Sequence, residues 1–310
     1  MKEPDALSHF RQRLSWDDLD KDAIRKLVRL AVEEDLYGKG LIHETAQTGD
    51  QTTISMGVSG LGTAAIVARE PLVACGLPML SLILEEFEVE NAKVENSKSD
   101  GDEVGVGETL AFISGAAVGL LAAERTLLNF IQRLSGIATA SKAFVKALSE
   151  TKTGLLDTRK TTPGYRALEK YATATGGFFN HRYGLNDRIL VKDNHLAANR
   201  ATKGKKLAES VARLKGTEPS LLVEVEVDCR EQIASVLSAG VDAILLDNFS
   251  VEEVAEAVEE IQGRAVIEAS GGITLESARQ YADASPHFLS TGAPVHNSSW
   301  TDLGLDWTNC

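Results

Sequence analysis

Apolar positions change their rhythm near the middle of the chain. Ile24, Leu27, Val28 and Ala31 recur at helical spacing, so Asp20–Leu36 reads as an amphipathic helix with Asp20 as its N-cap. Polar, Gly-rich residues 38–53 read as a loop, Thr63–Arg69 as a strand and Leu77–Phe87 as a helix. Residues 100–109 carry three glycines and turn chemistry between short strands. Val118–Ser149 is helical in pattern, with a break expected at Ser135-Gly136, and the first 15 residues are expected to be loosely held. Strands and helices without strict alternation suggest an α+β domain.

From Gly154 onward, short apolar runs alternate with longer amphipathic stretches. The runs are Leu155-Leu156, Ile189–Val191, Leu221–Val227, Ala243–Leu246, Ala265–Ile267 and Phe288-Leu289. This βαβ rhythm calls for a parallel sheet. The runs lead into Asp157, Lys192-Asp193, Glu226, Asp247, Ser270 and Ser290–Gly292. Polar groups after every strand suit an α/β barrel, whose site lies at the strand C-termini, better than an open sheet with one switch point. Six runs predict an incomplete α/β barrel preceded by an α+β N-terminal domain. The expected division is 1–139 for the N-terminal domain and 140–293 for the barrel, with 294–310 packing back on the first.

Composition narrows the function. The chain has 310 residues, 43% hydrophobic and 25% charged, with 32 basic against 45 acidic residues for a net charge of −13. These values suit a globular enzyme and argue against nucleic acid or an anionic membrane as partner. No apolar run reaches the roughly 18 residues of a membrane span, and the polar start lacks a signal-peptide core. Scattered Cys75, Cys229 and Cys310 fit a reduced, cytoplasmic setting.

Against this acidic background, residues 157–195 hold seven basic residues and four acidic ones. Arg159, Lys160 and Lys192 fall at strand ends, with Arg182 and His181 nearby. The set implies a small anionic substrate held by charge-assisted hydrogen bonds, the alternative being a solvated basic face. Glu224, Glu226 and Asp228 share a strand face, and Asp247 ends the next strand. Glu226 and Asp247 could hold Mg²⁺, partly through water, or serve as salt-bridge partners for the basic cluster. Ser270-Gly271-Gly272 and Gly292-Ala293 can bring main-chain N–H groups close to a phosphate, or be ordinary tight turns. No Walker, dinucleotide-binding, zinc-protease or serine-nucleophile motif is present, so positioning and electrostatics carry the chemistry.

Several strings closely resemble the quinolinate phosphoribosyltransferase (nicotinate-nucleotide pyrophosphorylase, carboxylating) family. They are AERTLLNFIQRLSGIAT (123–139), LLDTRKTTPGYRALEKYA (155–172), GGFFNHRYGLNDRILVKDNH (176–195), VEVEVD (223–228), ILLDNF (244–249), IEASGGI (267–273) and STGAPVHNSSWTDLGLDW (290–307). The resemblance implies that quinolinate and phosphoribosyl pyrophosphate give nicotinate mononucleotide, pyrophosphate and CO₂, with Mg²⁺, in NAD biosynthesis. By similarity, Arg125, Arg159, Lys160, His181, Arg182 and Lys192 would hold the carboxylates and nearby phosphate. Arg125 would reach into a partner subunit's site, which implies a homodimer. Glu226 and Asp247 would meet the ribose hydroxyls and metal, and Ser270, Gly271 and Gly292 the 5′-phosphate. Lys160 or Lys192 could deliver a proton. Departures are Phe178 for a glycine, Ala174 for a basic residue, Pro294-Val295 for an aliphatic-Thr pair, and an insertion at 38–48. Phe178 is expected to narrow the loop before His181. The alternatives are a related protein acting on another anion, as in molybdenum-transport clusters, or one that only binds a phosphorylated metabolite.

Overall fold

A computed structural model describes residues 4–42, 47–218 and 220–308. Cys310 and residues 43–46 of the insertion lie outside them. In chain order the elements are α1 (Lys21–Tyr37), α2 (Gln51–Ser55), β1 (Leu61–Ala68), β2 (Leu72–Val73), α3 (Met79–Glu86), β3 (Lys93–Asn96), β4 (Glu103–Val104), β5 (Thr109–Ala116) and α4 (Ala117–Ala147). There follow β6 (Gly154–Leu156), α5 (Arg166–Thr175), β7 (Ile189–Val191), α6 (Asp193–Ala198), α7 (Gly204–Thr217), β8 (Val223–Val227) and α8 (Ile233–Ser238). The chain ends with β9 (Ala243–Asp247), α9 (Val251–Ile261), β10 (Val266–Ser270), α10 (Leu275–Asp283), β11 (Phe288–Ser290), α11 (Ala293–His296) and β12 (Leu303–Trp307).

Contacts divide the chain into two units, one of residues 14–140, 162–176 and 298–310, the other of 1–13, 141–161 and 177–297. The first unit holds an antiparallel sheet in the order β12-β1-β5-β3. Asp20 caps α1 by accepting from the Asp22 and Ala23 amides, and Gly38 ends it at φ +64°. Asp50 caps α2 in the same way, within the stretch expected to be all loop. Helix α4 is continuous through Ser135-Gly136, where a break was expected. The buried Ser135 hydroxyl receives the Cys75 amide at 3.1 Å, and a Cβ at Gly136 would lie 2.1 Å from the Ser299 carbonyl oxygen. Small residues here permit close packing along an intact helix. Asp100 anchors the Gly-rich turn by accepting from the Gly76 and Leu77 amides and the Tyr171 hydroxyl, at 2.6–3.0 Å. These bonds explain why α5 belongs to this unit, although the sequence placed 162–176 in the barrel.

The second unit is built on six parallel strands in the order β6-β11-β10-β9-β8-β7. Strands β6 and β7 are its two edges, so the barrel is open there, as six strands require. Phe179 lies against the β6 edge, with its amide donating to Leu155 and its carbonyl accepting from Asp157. Outward residues Val223, Val225, Ile244, Leu246, Ile267, Ala269 and Leu289 join one buried cluster. By the two-residue period, Ala243, Val266 and Phe288 face the other way and cluster with Leu7, Phe10 and Leu156. Phe10 stacks on Phe288 with centroids 5.7 Å apart. The segment of Leu7 and Phe10 is therefore part of the barrel's apolar layer rather than loosely held, because it covers aromatic surface that six short strands leave open. Phe178 is also core. It is fully buried and meets Phe144 edge-on, so its side chain packs in the core and does not line the cavity.

Candidate active site

Above the apolar layer the inward residues become polar. Glu224 and Glu226 follow one another on β8, Leu245 and Asp247 on β9, Glu268 and Ser270 on β10, and Ser290 ends β11. All of these but Glu224 line a cavity of about 530 Å³ at the strand C-termini, together with Arg159, Lys160, His181, Arg182 and Lys192 from the β6 and β7 ends and with Gly271, Gly272, Gly292 and His296 from the late turns. Glu224 lies behind this lining, against Arg188. The volume lies within the range of small-molecule sites.

The cationic wall is held by its neighbours. Buried Asp157, directly after β6, accepts from the His181 amide and the Asn180 side chain, each at 2.7 Å. That fixes the His181-Arg182 step. Arg182 donates through a terminal nitrogen to the Arg188 carbonyl at 3.2 Å, and its Nε is buried with no partner. The Arg159 Nε is likewise buried and unpartnered. Burial, and then the nearby Arg159, pull the Arg182 guanidinium below its usual proton affinity. Two guanidiniums with spare donors beside one cavity form a receptor for an anion, which supplies the acceptors and removes the repulsion.

The acidic wall differs. The Glu226 carboxylate accepts from the Lys192 ammonium, so the sequence's two readings of Glu226 meet in one residue. Asp247 is more open, with the Asn248 side-chain amide donating to it at 2.9 Å. Two carboxylates on neighbouring strand ends are a donor set that suits a hard cation with water completing its shell.

At the late turns, Gly271 has φ +100°, and a Cβ there would lie 2.2 Å from Asn248 Oδ1 and 2.8 Å from its main-chain nitrogen. Only glycine fits this backbone. Gly271→Ala is expected to destabilise the protein by about 1–3 kcal/mol, read as a lower urea midpoint. An unchanged midpoint would show that the turn yields.

Ten of the eleven residues singled out from the sequence line this cavity: Arg159, Lys160, His181, Arg182, Lys192, Glu226, Asp247, Ser270, Gly271 and Gly292. Arg125 does not. It is exposed on α4, in the other unit. The basic cluster of 157–195 also separates: Arg166 and Lys170 go to the other unit with α5, while Arg188 is buried against Glu224 at 3.0 Å. The sequence reading missed His296, whose Nε2 lies 3.2 Å from the Lys160 carbonyl, and Glu268, buried in the cavity wall. Glu268 had a legible signal, an acid inside an apolar strand two residues before Ser270.

Comparison with known proteins gives a consistent result. Residues 50–135 match the family model described as Quinolinate phosphoribosyl transferase, N-terminal domain, and residues 137–306 the corresponding C-terminal domain. The chain is 40% identical over 294 residues to the nicotinate-nucleotide pyrophosphorylase [carboxylating] of Mycobacterium leprae (strain TN), covering 93% of this chain and 99% of that protein. It is 38% identical over 268 residues to a probable nicotinate-nucleotide pyrophosphorylase [carboxylating] of Bacillus subtilis (strain 168), covering 86% and 90%. Among solved structures, the nicotinate-nucleotide pyrophosphorylase of Francisella tularensis superposes with a TM-score of 0.83 at 33% identity, covering 96% of this chain and 100% of that one.

Proposed function

Since the chain belongs to the quinolinate phosphoribosyl transferase family, we propose that it joins quinolinate to phosphoribosyl pyrophosphate and releases pyrophosphate and CO₂, forming nicotinate mononucleotide for NAD synthesis. The observation that carries this reading is the pair of unpartnered guanidinium nitrogens, on Arg159 and Arg182, beside Lys160 and Lys192 in one cavity. A dicarboxylate offers acceptors to all four.

The mechanism follows from that arrangement. Arg159 and Arg182 grip the two carboxylates and fix the ring, and Lys160 and Lys192 complete the positive field. Glu226 and Asp247 face the ribose, whose C1 gains positive character as its bond to pyrophosphate breaks and the ring nitrogen's lone pair forms the new bond. Ser270, Gly271 and Gly292 present hydroxyl and main-chain donors to the 5′-phosphate. The adduct's 2-carboxylate then leaves as CO₂, and the electron pair stays on the ring carbon beside the cationic nitrogen. Lys160 or Lys192 supplies the proton that carbon takes up. Glu226 and Asp247 are the residues that would hold Mg²⁺, which when bound neutralises pyrophosphate charge. The reading includes a homodimer in which the exposed Arg125 of each chain serves the other's site. No helix among the described residues is long and apolar enough to cross a membrane, and a cytoplasmic location is part of the proposal.

The test is direct. Purified protein with quinolinate, phosphoribosyl pyrophosphate and Mg²⁺ is expected to release CO₂ and pyrophosphate in equal amounts as quinolinate disappears. Folded protein that consumes no quinolinate would overturn the reading.

A further inference from the structure

The floor of the cavity holds a charged group that the mechanism above does not use. Glu268 faces inward from β10, fully buried between Val266 of the apolar layer and Ser270. Neither of its carboxyl oxygens makes a hydrogen bond of good geometry. The His181 Nε2 lies 3.4 Å from Glu268 Oε2 and 3.5 Å from Glu224 Oε2. One ring nitrogen thus stands before two buried carboxyl groups.

Glu224 has its own cation. Its Oε2 accepts from Arg188 at 3.0 Å, and the Arg188 guanidinium lies over the Phe10 ring at 3.9 Å. That pair fixes Glu224 as ionised. Glu268 has no such partner, and two neighbouring buried carboxylates do not both ionise without a second counter-charge. One further proton must therefore sit on either His181 or Glu268, and the net charge is the same in both cases. The backbone decides which. The Arg182 amide donates to His181 Nδ1 at 2.8 Å, so Nδ1 must keep its lone pair and the ring carries its hydrogen on Nε2. A doubly protonated ring would set two hydrogens against each other at Nδ1. The same bond argues against a metal among His181, Glu224 and Glu268, the one group of three such ligands within reach of one another among the described residues. An Nε2 that carries hydrogen is a donor and not a ligand.

We propose that Glu268 takes part in the reaction as a neutral acid, a positioning residue that holds the His181 Nε2–H tautomer and keeps a second negative charge out of the cavity wall. The proposal rests on the reading that the substrate is a dianionic pyridine acid. An ionised Glu268 would oppose that dianion, so binding at alkaline pH draws one proton from solvent. The proton affinity of Glu268 agrees with a neutral acid, and that of His181 pulls the other way. Burial raises Glu268, and Glu224 adds to it. Burial opposes a second proton on His181, but Glu268 and Glu224 outweigh it and carry the ring up to about 9. The two groups compete for one proton, and the Arg182 amide on Nδ1, which leaves no room for a second hydrogen on the ring, assigns it to Glu268. The charges around Glu268 are Glu224 and Glu226 on β8, Asp247 on β9, His181, Arg182 and Arg188 before β7, Lys192 after it, and Arg159 and Lys160 after β6, while β11 offers the Ser290 hydroxyl.

Two measurements test this. In native protein with ¹⁵N-labelled histidine, His181 is expected to show the neutral Nε2–H pattern at about pH 7.5. An imidazolium pattern there would overturn the proposal, whatever the substrate is. Calorimetric titration with quinolinate at about pH 8.5, in two buffers of different ionisation heat, is expected to show uptake of close to one proton more by the native protein than by Glu268→Gln. Between about pH 7 and 8.5 the affinity of that variant, a permanently neutral isostere, is expected to change less than that of the parent. Equal proton uptake by the two proteins, or a loss of more than about tenfold in affinity by a folded variant at both pH values, would overturn the role of Glu268. Native protein that shows the neutral ring and binds no quinolinate would overturn the substrate reading instead.

Discussion

Arg159→Ala is expected to lower kcat/KM for quinolinate by roughly 30- to 5000-fold, about 2–5 kcal/mol of lost binding, while leaving the thermal midpoint nearly unmoved. The two halves of this expectation share one cause. Arg159 follows β6 and lines the cavity, yet no protein group accepts a hydrogen bond from its buried Nε. Its removal breaks no hydrogen bond at that nitrogen in the free protein, so the loss falls mainly on the bound state, where a substrate carboxylate would be left unpaired in a desolvated site. Relief of repulsion on Arg182 should even favour the folded state slightly. Arg159→Lys separates charge from geometry. It keeps the charge but loses the planar fork, so it should recover only part of the loss. Steady-state kinetics in quinolinate together with a melting curve make the measurement. Kinetics within about twofold of the parent would remove Arg159 from the site, and a large fall in midpoint would make its role structural.

The same distinction between held and free groups explains how much the sequence could disclose. Strand ends were legible because an α/β barrel shows each strand as a short apolar run and each functional group as the polar residue that follows it. Asp157, Glu226, Asp247 and Ser270 were found that way. Partners remote in sequence were not. Nothing in the polar opening residues signals that Phe10 stacks on Phe288, since that contact spans nearly the whole chain. The glycine near position 136 reads as a helix break because propensity is local, whereas the reason for it, the Ser299 carbonyl, is distant. Phe178 looked like a departure at the mouth of the site because it neighbours His181 in the chain, yet the alternation of an extended segment turns it toward Phe144. Arg166 and Lys170 counted toward the basic cluster by position alone, and they leave with α5. Glu268 escaped notice for the opposite reason, because a single acid within an apolar strand draws the eye less than the glycines that follow it.

Glu224→Ala is expected to cost about 3–5 kcal/mol of folding stability, the range for breaking a buried ion pair from one side. Arg188 would remain, buried, over the Phe10 ring and without its carboxylate. Glu268 limits the damage. Freed from its like-charged neighbour it ionises more readily, which places the loss toward the lower end of the range. The pH dependence identifies the mechanism. Burial alone would raise Glu224, but the hydrogen bond from His181 and then the charge of Arg188 outweigh it and hold the carboxyl below the ordinary glutamate range. A carboxyl depressed in the folded state contributes stability above its unfolded pKa, near about 4.3, and loses it as pH falls toward the folded value. Glu268 runs the other way: raised by burial, it makes the fold less stable as pH climbs past the unfolded value. Glu224→Gln, which keeps the volume and loses the charge, should therefore flatten the acid limb of the stability profile, and Glu268→Gln the alkaline one. Urea midpoints between about pH 3.5 and 8.5 measure both limbs. An unchanged acid limb in Glu224→Gln would mean that Arg188 finds its counter-charge elsewhere, and Glu224 would then lose its place as the fixed negative charge beneath the cavity.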